Sequence, residues 1–414
     1  MNKYSFIDLF AGAGGLSLGL EESGFTPYYV NELNNDALDT YLINRDEEFP
    51  HLRDRFHSNS ISYISKNKKN MDQLKKDLKN VMNLDPDSGE LTLLTGGPPC
   101  QGYSGIGHRR SHYVDKDKIP SNYLYKDMAK CIKELNPKIF LFENVRGLLT
   151  SKWTNQGKKG EIWQDVIKSF SKLKNYNIDW ELLKAKEYGV PQNRPRIILV
   201  GIRNDIKFKS LSKTANGLLP DGGLNPPHLK DVLSDLIDIN YTPGGATKLY
   251  PRKATTKFQQ EIRKKNGKIL DKGDPLTEHV YTKHSKNITE KFKFMIENDG
   301  VIPEKFQTKK FSQKVLPKKW DDKGPNITAT SLPDDYIHYA QPRILTVREW
   351  ARLQTFPDWY QFSGPRTTGG IRRAGNPKED NHQRDLPRYT QIGNAVPVLL
   401  AKTIGDHFKR ILDN

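Results

Sequence analysis

Five short apolar runs, separated by segments with helical periodicity, make up most of the first two hundred residues of this 414-residue chain. The runs are continuously hydrophobic and rich in Ile, Leu, Val and Phe, which is typical of strands covered by helices on both faces. Their alternation with helices predicts βαβ units on a parallel sheet. The predicted strands are residues 4–10, 27–33, 91–97, 138–145 and 196–202, with amphipathic helices over 65–83 and 123–136.

The composition changes after residue 202, where about 140 residues are rich in Lys, Gly and Pro and have weak periodicity. A helical pattern returns over 344–356, and a last helix is predicted over 396–412. We therefore predict a first domain over residues 1–202, a second, smaller domain over 203–387, and a C-terminal segment over 388–414 that returns to the first domain.

The chain is strongly basic, with 66 Lys and Arg against 49 Asp and Glu and a net charge of +17. Residues 252–272 hold eight basic and two acidic side chains, and residues 305–319 hold six lysines and no acid. Such a charge favours nucleic acid as partner, although an acidic membrane surface also fits it. No apolar stretch reaches 18 residues and no signal peptide is visible, so we expect a soluble intracellular protein.

A glycine-rich loop, DLFAGAGGLSLGL, follows the first predicted strand and opens a helix. Gly12, Gly14 and Gly15 allow backbone N–H groups to approach a ligand, and Glu32 ends the next strand, where a carboxylate can accept both hydroxyls of a ribose. The spacing differs from the dinucleotide fingerprint and contains no phosphate-binding lysine. S-adenosylmethionine therefore fits better than NAD or ATP, while an ordinary tight βα turn is the structural alternative.

Two further strands end in reactive side chains. Cys100 follows Gly96-Gly97-Pro98-Pro99, a rigid mount that suits a nucleophile better than a packing residue. Glu143 and Asn144 end the next strand at the same sheet edge, where a carboxyl group is expected to donate a proton to a ring nitrogen or to brace a loop.

Other residues have simpler interpretations. Cys131, within a helical run, reads as a core residue. With two cysteines and no Cys/His cluster, neither a disulfide framework nor a metal site is expected. Arg194 and Arg196 are two apart, so an extended chain would place both on one face, where they could hydrogen-bond a base carbonyl and a phosphate.

Taken together, six blocks of the sequence resemble the DNA (cytosine-5)-methyltransferases of bacterial restriction-modification systems. In order they are FIDLFAGAGGLSLGL, GGPPCQGYS, ENVRGLL, QNRPRIILVGIR, RILTVREWARLQTFPD and QIGNAVP, which together span residues 6–397. The resemblance implies a Rossmann-like methyltransferase fold, a mixed α/β sheet with helices on both faces, and a smaller target-recognition domain across a DNA-binding cleft.

The resemblance also assigns roles to residues. Cys100 is the implied nucleophile toward carbon 6 of a flipped-out cytosine. Glu143 is implied to protonate or hydrogen-bond ring nitrogen 3 and the exocyclic amine. Arg196 holds the cytosine carbonyl, and Arg194 and Gln192 brace the site. The implied S-adenosylmethionine pocket consists of Phe10, Gly12, Gly14, Gly15, Leu16, Glu32, Ser60, Ile61, Pro99, Leu124 and Asn394. Implied DNA contacts are Ser104 and Thr328, to which the basic run adds Arg252 and Lys253.

Two positions depart from the family pattern. Ser60 stands where an acid usually contacts the adenine, and Thr92 stands where an Asp usually precedes the cysteine by eight residues. Adenine recognition is therefore expected to use Ser60 or the Ile61 backbone. The loop over residues 364–388 is longer than the family minimum, and Arg366, Arg372 and Arg373 in it are equally consistent with DNA contact and with a solvated insertion.

The implied partners are double-stranded DNA and a cognate restriction endonuclease that acts on the same site without a stable complex. S-adenosylhomocysteine is the implied product, and a cytoplasmic, nucleoid-associated monomer is expected. Alternatives are a tRNA cytosine-5 methyltransferase, which usually has a smaller recognition region, and a non-catalytic DNA-binding module. An adenine amino-methyltransferase is disfavoured, because it would need an aromatic residue in place of Cys100.

Overall fold

The computed structural model describes residues 4–99, 116–307, 313–321, 324–328, 333–367 and 385–413. The chain divides into two compact units. The first unit comprises Met1–Lys184, Pro195–Gly223 and Val398–Asn414, and the second comprises Ala185–Arg194 and Leu224–Pro397. Within the described ranges, no helix is both long enough and apolar enough to span a membrane.

A seven-stranded mixed sheet forms the centre of the first unit. Its strands are β1 (Ser5–Leu9), β2 (Thr26–Asn31), β3 (His57–Ser58), β4 (Leu93–Gly96), β5 (Ile139–Val145), β6 (Tyr176–Lys184) and β7 (Pro195–Arg203), in the spatial order β3-β2-β1-β4-β5-β7-β6. Strands β1 to β5 pair in parallel, whereas β7 is antiparallel to β5 and to β6. The predicted mixed α/β class is confirmed, and an all-parallel sheet is not observed.

All five predicted strands are present, and the sequence patterns did not indicate β3 and β6. Strand β3 has two residues, too short for a periodic signal. In β6 the outer face carries polar side chains at Asn177 and Glu181, because this strand lies at the sheet edge and only part of it is covered. Strand β7 follows β6 along the chain and runs in the opposite direction beside it, so this end of the sheet is antiparallel.

The helices cover the sheet and build the second unit. The α-helices are α1 (Gly15–Glu22), α2 (Asn35–Ile43), α3 (His51–Asp54), α4 (Ser62–Ser65), α5 (Lys68–Met82), α6 (Leu124–Leu135), α7 (Glu161–Phe170), α8 (Leu229–Leu233), α9 (Lys257–Ile262), α10 (Lys286–Glu297), α11 (Val347–Leu353), α12 (Arg388–Asn394) and α13 (Val398–Asp413). Short 3-10 helices cover Lys116–Lys118, Pro120–Tyr123, Arg146–Thr150, Ala185–Glu187, Thr214–Gly217, Ser234–Leu236, Glu304–Phe306 and Pro333–Asp335. Outside the central sheet, the paired strands are β8 (Lys264–Lys265) with β9 (Lys268–Ile269) and β10 (Lys314–Val315) with β11 (Tyr336–Ile337).

The C-terminal helix α13 packs closely on α1 in the first unit. A Cβ atom on Gly19 would lie 2.4 Å from the Val398 carbonyl oxygen and 2.5 Å from the Ala401 Cβ, so only glycine permits this approach. The Ser23 hydroxyl donates to the Lys402 carbonyl at 2.8 Å. These contacts explain why a segment distant in sequence folds with the N-terminal strands.

The boundaries of the two units differ from the predicted domain limits. Residues 203–223 belong to the first unit, where His407 of α13 hydrogen-bonds the Gly217 carbonyl at 2.8 Å. Residues 388–397 belong to the second unit, where Arg388 pairs with Glu278 at 3.0 Å. Residues 185–194, which precede β7, also belong to the second unit. Composition alone did not reveal these limits, since each rests on contacts between distant residues.

A buried polar cluster joins β1 to the first two helices. The Ser17 hydroxyl donates to the Asp8 carboxylate, and the Tyr41 hydroxyl donates to Ser17 at 3.0 Å. Nearby, Arg45 donates to Glu21 at 2.7 Å. Burial raises the pKa of Asp8 to about 7, an effect that the Ser17 hydrogen bond and Arg45 only partly offset.

Replacing Asp8 with Asn should change how stability depends on pH. Because the pKa of Asp8 is higher in the folded than in the unfolded state, folded protein binds more protons between about pH 4 and pH 7. Its contribution to the free energy of unfolding therefore falls as pH rises through that window, and Asp8→Asn should remove this fall. Urea titrations from pH 4.5 to 7.5 measure it, with the exposed Asp72→Asn as control; parallel curves for wild type and Asp8→Asn would contradict the assignment.

The second unit contains a buried ionic network centred on α11. Arg352 pairs with Asp235 and with Asp358, each at 2.6 Å, and all three side chains are almost fully buried. Arg343 binds both carboxylate oxygens of Glu349 at 2.7 and 2.8 Å. Burial alone would raise the pKa of Glu349, but Arg343 lowers it well below its usual range. The sequence predicted a helix here, and its side chains form the centre of the unit.

Replacing Arg352 with Met should strongly destabilise the second unit. Removal of this guanidinium takes away the closest cation of Asp358 and leaves Asp235 paired with Arg263; loss of one partner from a buried ion pair typically costs about 3–5 kcal/mol. The exposed Arg53, which pairs with Asp39 and Asp46, provides the control, since Arg53→Met should cost less than about 1 kcal/mol. Urea unfolding of both variants measures the difference, and equal costs would show that the network contributes little.

Candidate active site

The glycine loop between β1 and α1 has a backbone that few sequences can adopt. Phe10, Gly12 and Gly14 all have left-handed φ angles, of 60°, 57° and 78°. Such a conformation is unusual for a bulky residue such as Phe10 and marks functional loops. Gly15 and Leu16 form the buried first turn of α1. The loop thus presents the N-terminal end of a helix at the carboxyl edge of the sheet.

Glu32, immediately after β2, is bound by the glycine loop. Its carboxylate accepts hydrogen bonds from the Gly12 N–H at 2.9 Å and from the Asn34 N–H at 2.8 Å. Burial raises the pKa of Glu32, and these backbone donors partly oppose the rise. The chain after β3 reaches the same edge, where Asn59 donates to the Glu32 carbonyl and Ser60 is exposed.

These residues fit an adenosine-bearing ligand. A Cβ atom built on Gly12 meets nothing within 4 Å, so there is open space beside the loop. Each Glu32 oxygen that accepts one backbone N–H retains capacity for a ribose hydroxyl. Ile61 is buried and caps α4, Leu124 opens α6, and Pro99 is exposed after β4. Thr92, by contrast, immediately precedes β4 and exchanges hydrogen bonds with Ser5, at the opposite end of the strand from Pro99.

Glu143 of β5 and Arg196 of β7 form an ion pair. The Arg196 Nε lies 2.7 Å from a Glu143 carboxylate oxygen, and both side chains are largely buried. Burial lowers the pKa of Arg196, while Glu143 acts in the opposite direction. In the antiparallel register Glu143 opposes Ile198, so Arg196, two residues away, lies on the same face. The sequence proposed both residues, but it did not reveal that they form a pair.

The segment that leads to Cys100 is fitted against this pair. A Cβ atom on Gly97 would lie 2.9 Å from a Glu143 carboxylate oxygen, so glycine allows the carboxylate to occupy this place. The buried Asn144 donates its side-chain amide to the Pro98 carbonyl at 3.2 Å. The sequence placed Gly97 in the rigid mount before Cys100 and Asn144 at the end of β5, but it did not reveal the contacts that these two residues make. Cys100 and Ser104 lie outside the described residues.

Gln192 and Arg194 are fully buried in the second unit. The Gln192 amide donates to the Leu353 carbonyl at 2.8 Å and to the Gln354 side chain at 2.7 Å. Arg194 donates to the carbonyls of Ile327, Gly393, Asn394 and Ala395. The two side chains thus hold together three sequence blocks. Arg194 precedes β7 and belongs to the second unit, whereas Arg196 lies on β7 in the first.

The remaining predicted residues of the second unit lie at its surface or close to it. Asn394 is exposed at the end of α12, Thr328 is partly exposed, and Arg252 and Lys253 are exposed. Arg366 donates to the Val280 carbonyl at 3.2 Å, while Arg372 and Arg373 lie outside the described residues. Within the described part of the chain, no group of three or more His, Cys, Asp or Glu residues could hold a metal ion.

Comparison with known proteins yields one family. The model of the C-5 cytosine-specific DNA methylase family matches residues 4–410. The Type II methyltransferase M.DdeI of Desulfomicrobium norvegicum is 30% identical over 99% of this chain and 89% of its own length. The Type II methyltransferase M.BspRI of Lysinibacillus sphaericus is 31% identical over 97% of this chain and 81% of its own length.

Solved structures show the same fold. A protein described as a DNA modification methyltransferase encoded within an E. coli prophage has a TM-score of 0.68 and 25% identity, covering 99% of this chain and 100% of that one. The Dnmt2 methyltransferase of S. pombe, at 15% identity, has a TM-score of 0.53 over 99% of this chain and 98% of its own, and this likeness concerns the fold alone. With a family match over almost its whole length, the chain belongs to the C-5 cytosine-specific DNA methylases and is a DNA cytosine-5 methyltransferase.

Proposed function

We propose that this enzyme transfers a methyl group from S-adenosylmethionine to carbon 5 of a cytosine flipped out of a specific double-stranded DNA sequence. The observation that carries the proposal is the Glu143–Arg196 pair at 2.7 Å, against which Gly97 and Pro98 place the chain that continues into Cys100. The relatives named as Type II methyltransferases support a role as the modification enzyme of a restriction-modification system.

The residues around the glycine loop would hold S-adenosylmethionine. Glu32 would accept the ribose hydroxyls, and the loop from Phe10 to Gly15 would provide backbone donors and space. Ser60 and the Ile61 backbone would face the adenine, with Leu16, Pro99, Leu124 and Asn394 as the other proposed contacts. When bound, S-adenosylmethionine supplies an electrophilic methyl group and leaves as S-adenosylhomocysteine.

Cys100 would activate the cytosine by covalent addition. The thiolate sulfur forms a bond to carbon 6, the carbon 5–carbon 6 π bond breaks, and its electron pair makes carbon 5 nucleophilic. Glu143 would provide a proton at ring nitrogen 3, where negative charge otherwise accumulates. After methylation, solvent water would accept the proton from carbon 5, and the sulfur would leave carbon 6 as thiolate. The carbon 5–carbon 6 double bond re-forms, and ring nitrogen 3 returns its proton to Glu143. Extrusion of the base from the duplex is required, because carbon 6 is inaccessible within the stack.

Arg196 would act on the cytosine and on Glu143 together. Its guanidinium already binds the Glu143 carboxylate through Nε, and its other N–H groups suit the cytosine carbonyl oxygen. Gln192 and Arg194 are positioning residues in this proposal, because their side chains hydrogen-bond to other protein groups and are fully buried. Their part is to hold the backbones of residues 327, 353 and 393–395 in place.

Double-stranded DNA would bind through basic side chains outside the reacting centre. The net charge of +17 attracts phosphates, and Ser104, Thr328, Arg252 and Lys253 are the proposed individual contacts. A monomer in the cytoplasm, associated with the nucleoid, would suffice for this reaction. A restriction endonuclease that cuts the same sequence would complete the system without forming a stable complex.

Replacing Glu143 with Gln should lower the rate of methyl transfer to duplex DNA by about 100-fold or more, since general acid catalysis contributes on that order. Glu181→Gln is a matched control: Glu181 lies on β6 opposite the same residue, Ile198, and is exposed. Transfer of labelled methyl groups to duplex DNA and to tRNA, with bisulfite sequencing of the DNA product, measures rate, substrate and site. Equal rates for the two variants would refute the role of Glu143, and transfer to tRNA alone would refute the DNA substrate.

A further inference from the structure

A small hairpin in the second unit exposes lysine side chains, and a buried arginine holds its base. Strands β8 and β9 pair antiparallel, and all four of their residues are exposed. The two-residue turn between them, Asn266-Gly267, has φ angles of 49° and 79°, as a type I′ turn requires. An isolated two-stranded hairpin with no buried face is at best marginally stable in water. Another part of the unit must therefore hold it.

Arg263, the residue before β8, holds the base of the hairpin. It is fully buried, and its guanidinium pairs with Asp235 at 2.5 Å and stacks 3.7 Å from the centre of the Tyr250 ring. It also donates to the Leu270 carbonyl at 3.3 Å, while the Leu270 N–H donates back to the Arg263 carbonyl at 3.2 Å. Since Asp235 also binds Arg352, the hairpin is fixed to the ionic network of the second unit.

The exposed face of the hairpin carries an unfavourable arrangement of charge. Lys265 lies directly opposite Lys268, and like charges in opposed positions destabilise an antiparallel pair. Lys264 adds a third ammonium group, and the ion pairs found among the described residues include none of the three. Arg263 also donates to the Arg252 carbonyl at 3.0 Å, which attaches the backbone of the exposed Arg252 to the same anchor.

We propose that the β8–β9 hairpin is a rigid contact to the phosphate groups of duplex DNA, with Lys264, Lys265 and Lys268 as its cations. Repulsion between the opposed lysines destabilises the hairpin in the free protein. A bound polyanion would relieve this repulsion, which explains why the lysines are placed together. A lysine ammonium binds phosphate as a point charge, without needing the fork geometry by which arginine binds bidentately. The inference rests on the proposed action on DNA, and it assigns binding to residues that take no part in the chemistry.

Substituting all three lysines by Gln tests the proposal. We expect binding to duplex DNA to weaken similarly for methylatable and unrelated sequences, and the slope of log K against log salt to become less negative by about 0.9 for each phosphate that the protein no longer neutralises. The methyl-transfer rate at saturating DNA should not change. The matched control is the triple Gln variant at Lys68, Lys69 and Lys76, which are exposed on α5 in the first unit. A triple Arg variant of the hairpin should bind as wild type does.

The outcomes separate this proposal from the proposed function. An unchanged salt slope in the hairpin Gln variant, or the same change in the α5 variant, overturns the phosphate contact while wild-type methyl transfer stands. A loss of binding confined to one DNA sequence, with an unchanged slope, would mean that the hairpin reads bases and also overturns the proposal. Because the Gln side chains remove the repulsion, the thermal unfolding midpoint of the hairpin variant should equal or exceed that of wild type, and a lower midpoint would assign the lysines to stability instead. Absence of methyl transfer by the wild type would refute the proposed function alone.

Discussion

The ion pair between Glu143 and Arg196, on two adjacent antiparallel strands, is the interaction on which the chemistry proposed for this edge of the sheet depends. An ion pair this deeply buried loses much of its hydration, so it is stable only where further polar groups surround it. The neighbouring chain meets this demand through Gly97, which leaves room for the carboxylate, and through Asn144, which binds the Pro98 carbonyl. Gly97 and Pro98, close to the end of this described segment at residue 99, are thus held by contacts to Glu143 and Asn144.

The rest of the first unit supports this edge. The Glu32 carboxylate binds the left-handed loop that contains Phe10, Gly12 and Gly14. Helix α1 contacts the polar cluster around Asp8 and packs closely against α13. Each support joins different elements of the unit. In the second unit, Gln192 and Arg194 also hold distant segments together, because they donate to backbone carbonyls of residues 327, 353 and 393–395.

Much of this arrangement was predictable from sequence because it depends on local patterns. The continuous apolar runs identified five strands, and the sequence around α11 has Thr346 followed three residues later by Glu349, the capping box that the structure contains. The glycine loop and the acid after β2 were recognisable from their order and spacing. What these features share is that their physical cause lies within a few residues.

Features that depend on distant residues were not predictable. Arg348 and Arg352, one helical turn apart, would ordinarily mark a solvent-facing surface, yet both are fully buried. Arg352 meets the carboxylates of Asp235 and Asp358. Arg348 donates mainly to backbone carbonyls, those of Thr277, Pro357 and Tyr360. The edge strand β6 was missed because its outer side chains are polar, and with it the antiparallel direction of β7. That direction is what brings Arg196 to Glu143, so the central pair of the site followed from topology and not from spacing.

The proposed reaction depends on a covalent bond between Cys100 and the cytosine ring, which the Glu143–Arg196 pair would promote. Incubating the enzyme and S-adenosylmethionine with a duplex that contains 5-fluorocytosine at its methylation site tests it most directly, since fluorine cannot leave as a proton does. We predict a denaturation-resistant complex in which peptide mapping by mass spectrometry finds the DNA attached to Cys100. Absence of a covalent complex, or attachment through another residue, would contradict the account.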